Sequence, residues 1–259
     1  MNKLINWRIF FLLLTASMLS IVAILPYAFS LQWDIIRQIP LPLPLIIGVT
    51  LLQNGIIFAI LIFLGLFVSQ KIWLWLRYIE AYWENKKITP EMKNVFKKSL
   101  LLGAGIGFVI IITDIVFKKI WVVVWGDLSI PIWQWFLASF YGWIAEEILL
   151  RLFLMSLLIW ILHTIFKSHS QWKVRNAIIW ASILITAIIF WVWHLPAVAQ
   201  ITELTDGVIV RTIVLNALWG VVFWYLYWKN GLESAMIAHF SADIVLHVVL
   251  PMSIAIYAL

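Results

Sequence analysis

Glu146 and Glu147 stand side by side, with Arg151 following, inside a run that is otherwise apolar from Pro131 to Phe166. A charge at mid-bilayer costs at least a few kcal/mol, so ionisable groups in such a run mark either function or tight pairing. Glu147 and Arg151 have i, i+4 spacing and pair on one helical face. Glu146 lies about 100° round the helix from Glu147 and must face something else. A purely structural ion pair accounts for Glu147 and Arg151 and leaves Glu146 unexplained. Two later apolar runs bring imidazoles, as Phe190-Trp191-Val192-Trp193-His194 and His239-Phe240-Ser241-Ala242-Asp243. His239 and Asp243 share a face that continues to His247 one turn on. A histidine and an aspartate buried together stabilise a bundle no better than leucine would, so packing is a poor account of them. A lone histidine near a span end, such as His194, is more often a packing or interface residue. His163 and His169 flank a loop and receive no role. Together these groups compose a hydrolytic site. A carboxylate takes a proton from water, and imidazoles share that proton or steady an oxyanion.

The elements that must position them are membrane helices. Hydrophobic residues make up 64% of the 259, charged residues only 12%, which places the chain among polytopic membrane proteins. The mean hydropathy of +1.03 agrees. The expected fold is an all-α transmembrane bundle of about seven spans, with eight as the alternative count. Runs near 9–30, 43–69, 99–124, 131–166, 176–195, 208–228 and 232–251 are each long enough to cross about 30 Å of hydrocarbon. The first begins just after Lys3 and Arg8; it is long for a signal-peptide core and reads as a retained span. Three prolines, Pro40, Pro42 and Pro44, interrupt the first connection. In the second span Gln53 and Asn54 are expected to bond across to a neighbouring helix. Cysteine is absent, which excludes disulfides and thiolate chemistry. The 18 tryptophans suit a protein with two membrane–water interfaces.

The net charge of +6 is no nucleic-acid signal, because the basic residues collect in short loops between apolar runs. Residues 70–98 form the one sizeable polar stretch, with Trp73, Trp75, Tyr78, Tyr82 and Trp83 interleaved among Lys, Arg and Glu; an amphipathic helix in the headgroup region is expected there. Residues 1–130 are read as N-terminal spans carrying this basic loop, and 131–251 as the helical core with the chemistry. With seven alternating spans, Lys3, Arg8, the 70–98 segment, Lys167, Lys173 and Arg175 share one side, whereas Asp34 with Arg37, Asp127, Glu203 and Asp206 lie opposite. That puts the N-terminus in the cytoplasm. Lys118 and Lys119 argue against it unless they snorkel to the interface.

The three motifs in order, Glu146-Glu147-x-x-x-Arg151, Phe190-x-x-x-His194 and His239-x-x-x-Asp243, resemble those of the CAAX-protease and bacteriocin-processing (Abi) family, related to type II CAAX prenyl endopeptidases. The turn Gly231-Leu232-Glu233-Ser234-Ala235-Met236 is similar to the family's lead-in to the third motif. The resemblance implies an intramembrane peptidase in which Glu146 activates water with help from His194. It further implies that His239 and position 243 stabilise the oxyanion, while Arg151 organises the glutamates. Position 243 is Asp, a variant found in the family beside asparagine; it weakens the oxyanion assignment, because an ionised aspartate cannot donate a hydrogen bond. The older metalloprotease description of the family offers an alternative, in which Glu146, His194, His239 and Asp243 hold zinc. The metal-free version is preferred here.

The expected activity is hydrolysis of a peptide bond in a membrane-associated peptide or protein, prenylated or not. The expected setting is the cytoplasmic membrane of a prokaryote, with the lipid bilayer as partner and no nucleic acid. One alternative is a non-enzymatic immunity or regulatory protein on the same scaffold; none of the motif side chains is missing, which argues against it. A proton-coupled transporter would instead string polar groups across the membrane depth. The helix rise creates one difficulty. Glu146 and His194 fall about 30 Å from the basic side, but His239 only about 15 Å, so tilted or broken helices must bring them level.

Overall fold

The computed structural model describes residues 5–74, 76–87, 89–120, 130–166, 173–200 and 202–251. Lys3, Trp75, Asp127, Lys167 and His169 lie outside the described residues, as do the side chains of Lys173 and Arg175. Every regular element among the described residues is helical: α1 (Trp7–Ile36), α2 (Leu43–Lys71), α3 (Arg77–Trp83), α4 (Pro90–Ile120), α5 (Ile132–Phe140), α6 (Ser156–Ile165), α7 (Lys173–Ala199), α8 (Asp206–Asn230) and α9 (Leu232–Ile244). Between α5 and α6 the chain stays helical through two π-helical stretches, Tyr141–Glu146 and Ile148–Met155, and α9 continues into a third, Val245–Val249. Seven helices of the described residues are long and apolar enough to cross a membrane. They fall where the apolar runs predict, with α4 starting nine residues earlier than expected, at Pro90 rather than residue 99.

Lipid supplies no hydrophobic drive between helices, so close packing and polar contacts must hold the bundle. The centre is α9. Its span has 61% of its most apolar window buried, against 17–39% for the other six. Its close approach to α4 rests on small residues. Ser99, Gly103 and Gly107 repeat every four residues on α4 and meet Ser234, Ala238 and Ala242, which repeat every four residues on α9. The two helices therefore run parallel and in register. The Ser99 and Ser234 hydroxyls lie 2.5 Å apart, and Ser241 Oγ donates to the Leu100 carbonyl at 2.8 Å. A Cβ on Gly103 would overlap the Ala238 backbone, which cannot move aside as a flexible side chain could. Gly103→Ala is expected to lose about 1–3 kcal/mol of stability by overpacking. Gly105→Ala, whose Cβ would meet nothing within 4 Å, should be neutral. Thermal unfolding of the two variants in detergent checks this, and equal midpoints would refute the close-packing account.

Two expectations are corrected here. The 70–98 stretch is not one amphipathic helix. Lys71 ends α2, α3 has only seven residues, and Pro90 already begins α4. Left-handed backbone at Trp73 (φ 63°) and Asn85 (φ 54°) breaks the chain on either side of α3. In α2, Asn54 Nδ2 donates to the Thr50 carbonyl of its own helix at 2.8 Å, and Gln53 is exposed, so neither bridges to a neighbour as expected. Lys118 is held by Asp114 Oδ2 at 3.1 Å, and Asp114 Oδ1 also takes Arg211 Nε of α8 at 2.6 Å. That pairing explains the lysine near the end of the third span.

Candidate active site

The i, i+4 spacing of Glu147 and Arg151 does what the helix geometry predicts: Arg151 Nη1 lies 2.9 Å from Glu147 Oε1, both side chains fully buried. Aromatic rings from two other spans wall in the guanidinium, with Trp224 4.8 Å, Phe223 5.6 Å and Phe190 5.7 Å from its central carbon. A buried cation against ring faces is favourable when water is excluded. The same Glu147 Oε1 accepts from His239 Nδ1 at 2.7 Å. One carboxylate oxygen thus joins the first motif to the third.

His239 is held on its face as well. Phe223 stacks on the imidazole at 4.9 Å, and Trp219 meets it edge-on at 5.5 Å. Its Nε2 lies 3.7 Å from Asp243 Oδ2, and His247 Nε2 lies 3.9 Å from Asp243 Oδ1. Both distances exceed a direct hydrogen bond and lie within ion-pair range when the imidazole is protonated. Gly142 makes the space for this pair. A Cβ there would stand 2.8 Å from Asp243 Oδ2 and 3.1 Å from His239 Nε2. Trp135 stacks on His247 at 4.7 Å with the rings nearly coplanar in tilt (7°).

Glu146 and His194 stand outside this bonded cluster. Glu146 is half-buried and makes no hydrogen bond or ion pair among the described residues. His194 is half-buried, and its Nδ1 lies 2.8 Å from the Phe190 carbonyl one turn earlier. With Nδ1–H donating there, Nε2 is the free acceptor nitrogen. Phe190 is the hinge between motifs, edge-on to His194 at 4.4 Å and beside Arg151. No direct bond joins His194 to Glu146, His239 or Asp243 among the described residues. Among those residues no three histidine, aspartate or glutamate side chains group to hold a metal ion.

The depth difficulty resolves through α3. The α9 N-terminus does not lie at the bundle surface: Leu232, Glu233 and Ser234 are buried, and Glu233 Oε1 accepts from the Tyr78 and Ile79 amides of α3 at 3.0 and 2.9 Å. That carboxylate caps the first turn of α3, whose amides have no partner of their own. The seventh span therefore begins already inside the protein. Gly231, at φ 99°, allows α8 to turn straight into it. Phe190 meets Trp224, and Phe223 stacks on His239, so neighbouring residues of α8 touch the first residue of the second motif and the first of the third.

Residues 128–245 match the family model described as type II CAAX prenyl endopeptidase Rce1-like. Over that stretch the chain is similar to the Rce1-like family. Comparison with curated proteins and with solved structures found no match. The Rce1-like segment covers the span of the two glutamates through the third motif, close to the 131–251 stretch on which the motif resemblance rests. The family supports a CAAX-type intramembrane protease, an integral membrane protein acting on peptide substrates in a bilayer. Sequence reasoning passed over Gly142, Trp219, Phe223 and Trp224. Only Gly142 carried a signal, as a small residue one turn before the glutamate pair.

Proposed function

We propose that the chain is an intramembrane endopeptidase in which Glu146 activates the attacking water. The observation that carries this reading is the division of labour between the paired carboxylates. Glu147 is committed to Arg151 and His239, whereas Glu146 is half-buried and unbonded. A general base must be free to take a proton and reach it directly or through one water. In the proposed reaction Glu146 accepts a proton from water, with His194 Nε2 sharing it, and the hydroxide attacks the peptide carbonyl. Glu147 fixes the His239 ring through Nδ1, and in the imidazolium form, with both nitrogens protonated, Nε2–H is the donor for the oxyanion. The C–N bond then breaks, and the proton held by Glu146 passes to the leaving amine. Substrates are membrane-associated peptides or protein segments. By its loop charges the N-terminus faces the cytoplasm of a prokaryotic cell.

The role of Asp243 is tested by Asp243→Asn. A neutral amide supplies the hydrogen-bond donor that a carboxylate lacks, so this variant should keep or raise activity on a membrane-anchored peptide in proteoliposomes. A strong chelator should leave both proteins active. Chelator-sensitive activity that is also lost in Asp243→Asn would establish the zinc alternative instead, because an amide is a weaker ligand than a charged oxygen. Absence of any cleavage by the wild type over a broad panel of membrane peptides would favour the non-enzymatic reading.

A further inference from the structure

Away from the glutamate–histidine cluster, a cavity of about 700 Å³ opens where α1 starts, α2 ends and α3 crosses, lined by Trp7, Arg8, Gln70, Glu80, Trp83 and Glu84. That size falls within the range of about 300–1,000 Å³ usual for small-molecule sites. It lies where one span starts and the next ends, which is where a bilayer–water boundary falls. Trp7, at the start of α1, and Trp83, at the end of α3, are 54% and 38% exposed, as interfacial tryptophans are. Lys71, at the end of α2, lays its ammonium over the rings of Phe67 and Trp160 at 4.1 and 5.5 Å.

The charges are what single the cavity out. Glu84 is paired with Lys86 at 2.5 Å. Arg8 and Glu80 both face the cavity, yet neither makes an ion pair among the described residues, with each other or with a neighbour. Burial and the adjacent Glu84 push the Glu80 carboxyl up, so a cation placed beside it gains more than it would at an open surface. Glu80 is also held in place. Its helix is anchored from behind by the Glu233 carboxylate on the amides of Tyr78 and Ile79. An anionic ligand would gain Arg8 and meet two carboxylates; a cation would gain Glu80 and meet Arg8. A zwitterion satisfies both.

We propose that this cavity binds the headgroup of a zwitterionic, amine-bearing phospholipid, with its phosphate on Arg8, its ammonium on Glu80, and Trp7 and Trp83 flanking the glycerol. The site is separate from the catalytic reading and stands or falls without it. The test is native mass spectrometry of the purified full chain in detergent micelles with equal phosphatidylethanolamine and phosphatidylglycerol. Phosphatidylethanolamine should be retained about tenfold more strongly, and Arg8→Gln and Glu80→Gln should each weaken its binding about tenfold, as loss of one charge-assisted contact does. Neither side chain has an ion pair to lose, and Lys86, which attracts Glu80, keeps Glu84 as its paired carboxylate, so the lipid-free melting temperature should move little. Glycerophosphoethanolamine, which carries the headgroup without chains, should bind at least about tenfold more weakly than the lipid. Equal retention of phosphatidylglycerol, or full phosphatidylethanolamine binding by both variants, overturns the proposal. Equal binding of the soluble headgroup overturns the lipid assignment and makes the ligand a free phosphodiester.

Discussion

Glu146→Gln should abolish cleavage while the protein inserts and folds as before. The amide keeps the size of the side chain and removes the proton acceptor, so the rate should fall by about 10²–10⁴, the usual contribution of a positioned general base. Stability should stay within about 0.5 kcal/mol of wild type, because Glu146 contributes no bond among the described residues whose loss would be felt. Cleavage of a membrane-anchored peptide in proteoliposomes, read beside thermal unfolding in detergent, separates the two effects. Wild-type activity in the purified variant would sink the mechanism. Activity kept in Glu146→Gln but lost without destabilisation in Glu147→Gln would exchange the roles of the two carboxylates.

Glu147→Gln and Arg151→Ala should fail in the other way, through the fold. Both side chains are fully buried, and each is the other's charge partner at 2.9 Å. Removing one leaves an uncompensated charge in an apolar interior, which costs about 3–5 kcal/mol. Glu147→Gln still offers His239 a carbonyl oxygen but leaves the guanidinium among three aromatic rings with no counter-charge. Arg151→Ala adds a cavity to the lost charge. The double variant Glu147→Gln with Arg151→Met should be markedly more stable than Glu147→Gln or Arg151→Met alone, since no charge is stranded. Additive losses in that cycle would show that the two residues are not coupled.

Much of the site was legible because helical periodicity is a strong constraint on neighbours. The Glu147–Arg151 pair and the shared face of His239 and Asp243 follow from i, i+4 spacing alone, and the spans follow from their apolar runs. Contacts between helices far apart in sequence were less accessible. That Glu147, rather than Glu146, would take His239 depends on how the fourth and seventh spans rotate against each other. The π-helical turns around the glutamates change that rotation without leaving any mark in hydrophobic periodicity. The Ser99, Gly103 and Gly107 repeat was visible in the sequence, and small residues four apart are a known packing signal in membranes. Which helix those small residues face is set by tertiary packing, which spacing alone does not carry. The break at Trp73 could not have been read at all, since tryptophan seldom adopts left-handed backbone.

The cap that Glu233 places on α3 has a consequence for biogenesis. Tyr78 precedes Glu233 by 155 residues, which takes about 8–30 s to synthesise at about 5–20 residues per second. Throughout that interval the first-turn amides of α3 lack their carboxylate cap, although Tyr78 can already pack on Phe96 of α4, and Glu147, 92 residues ahead of His239, has only Arg151 as a bonded partner. The seventh span supplies both missing partners in a single insertion event. A nascent chain halted before that event therefore lacks both the His239 contact to Glu147 and the Glu233 cap on α3.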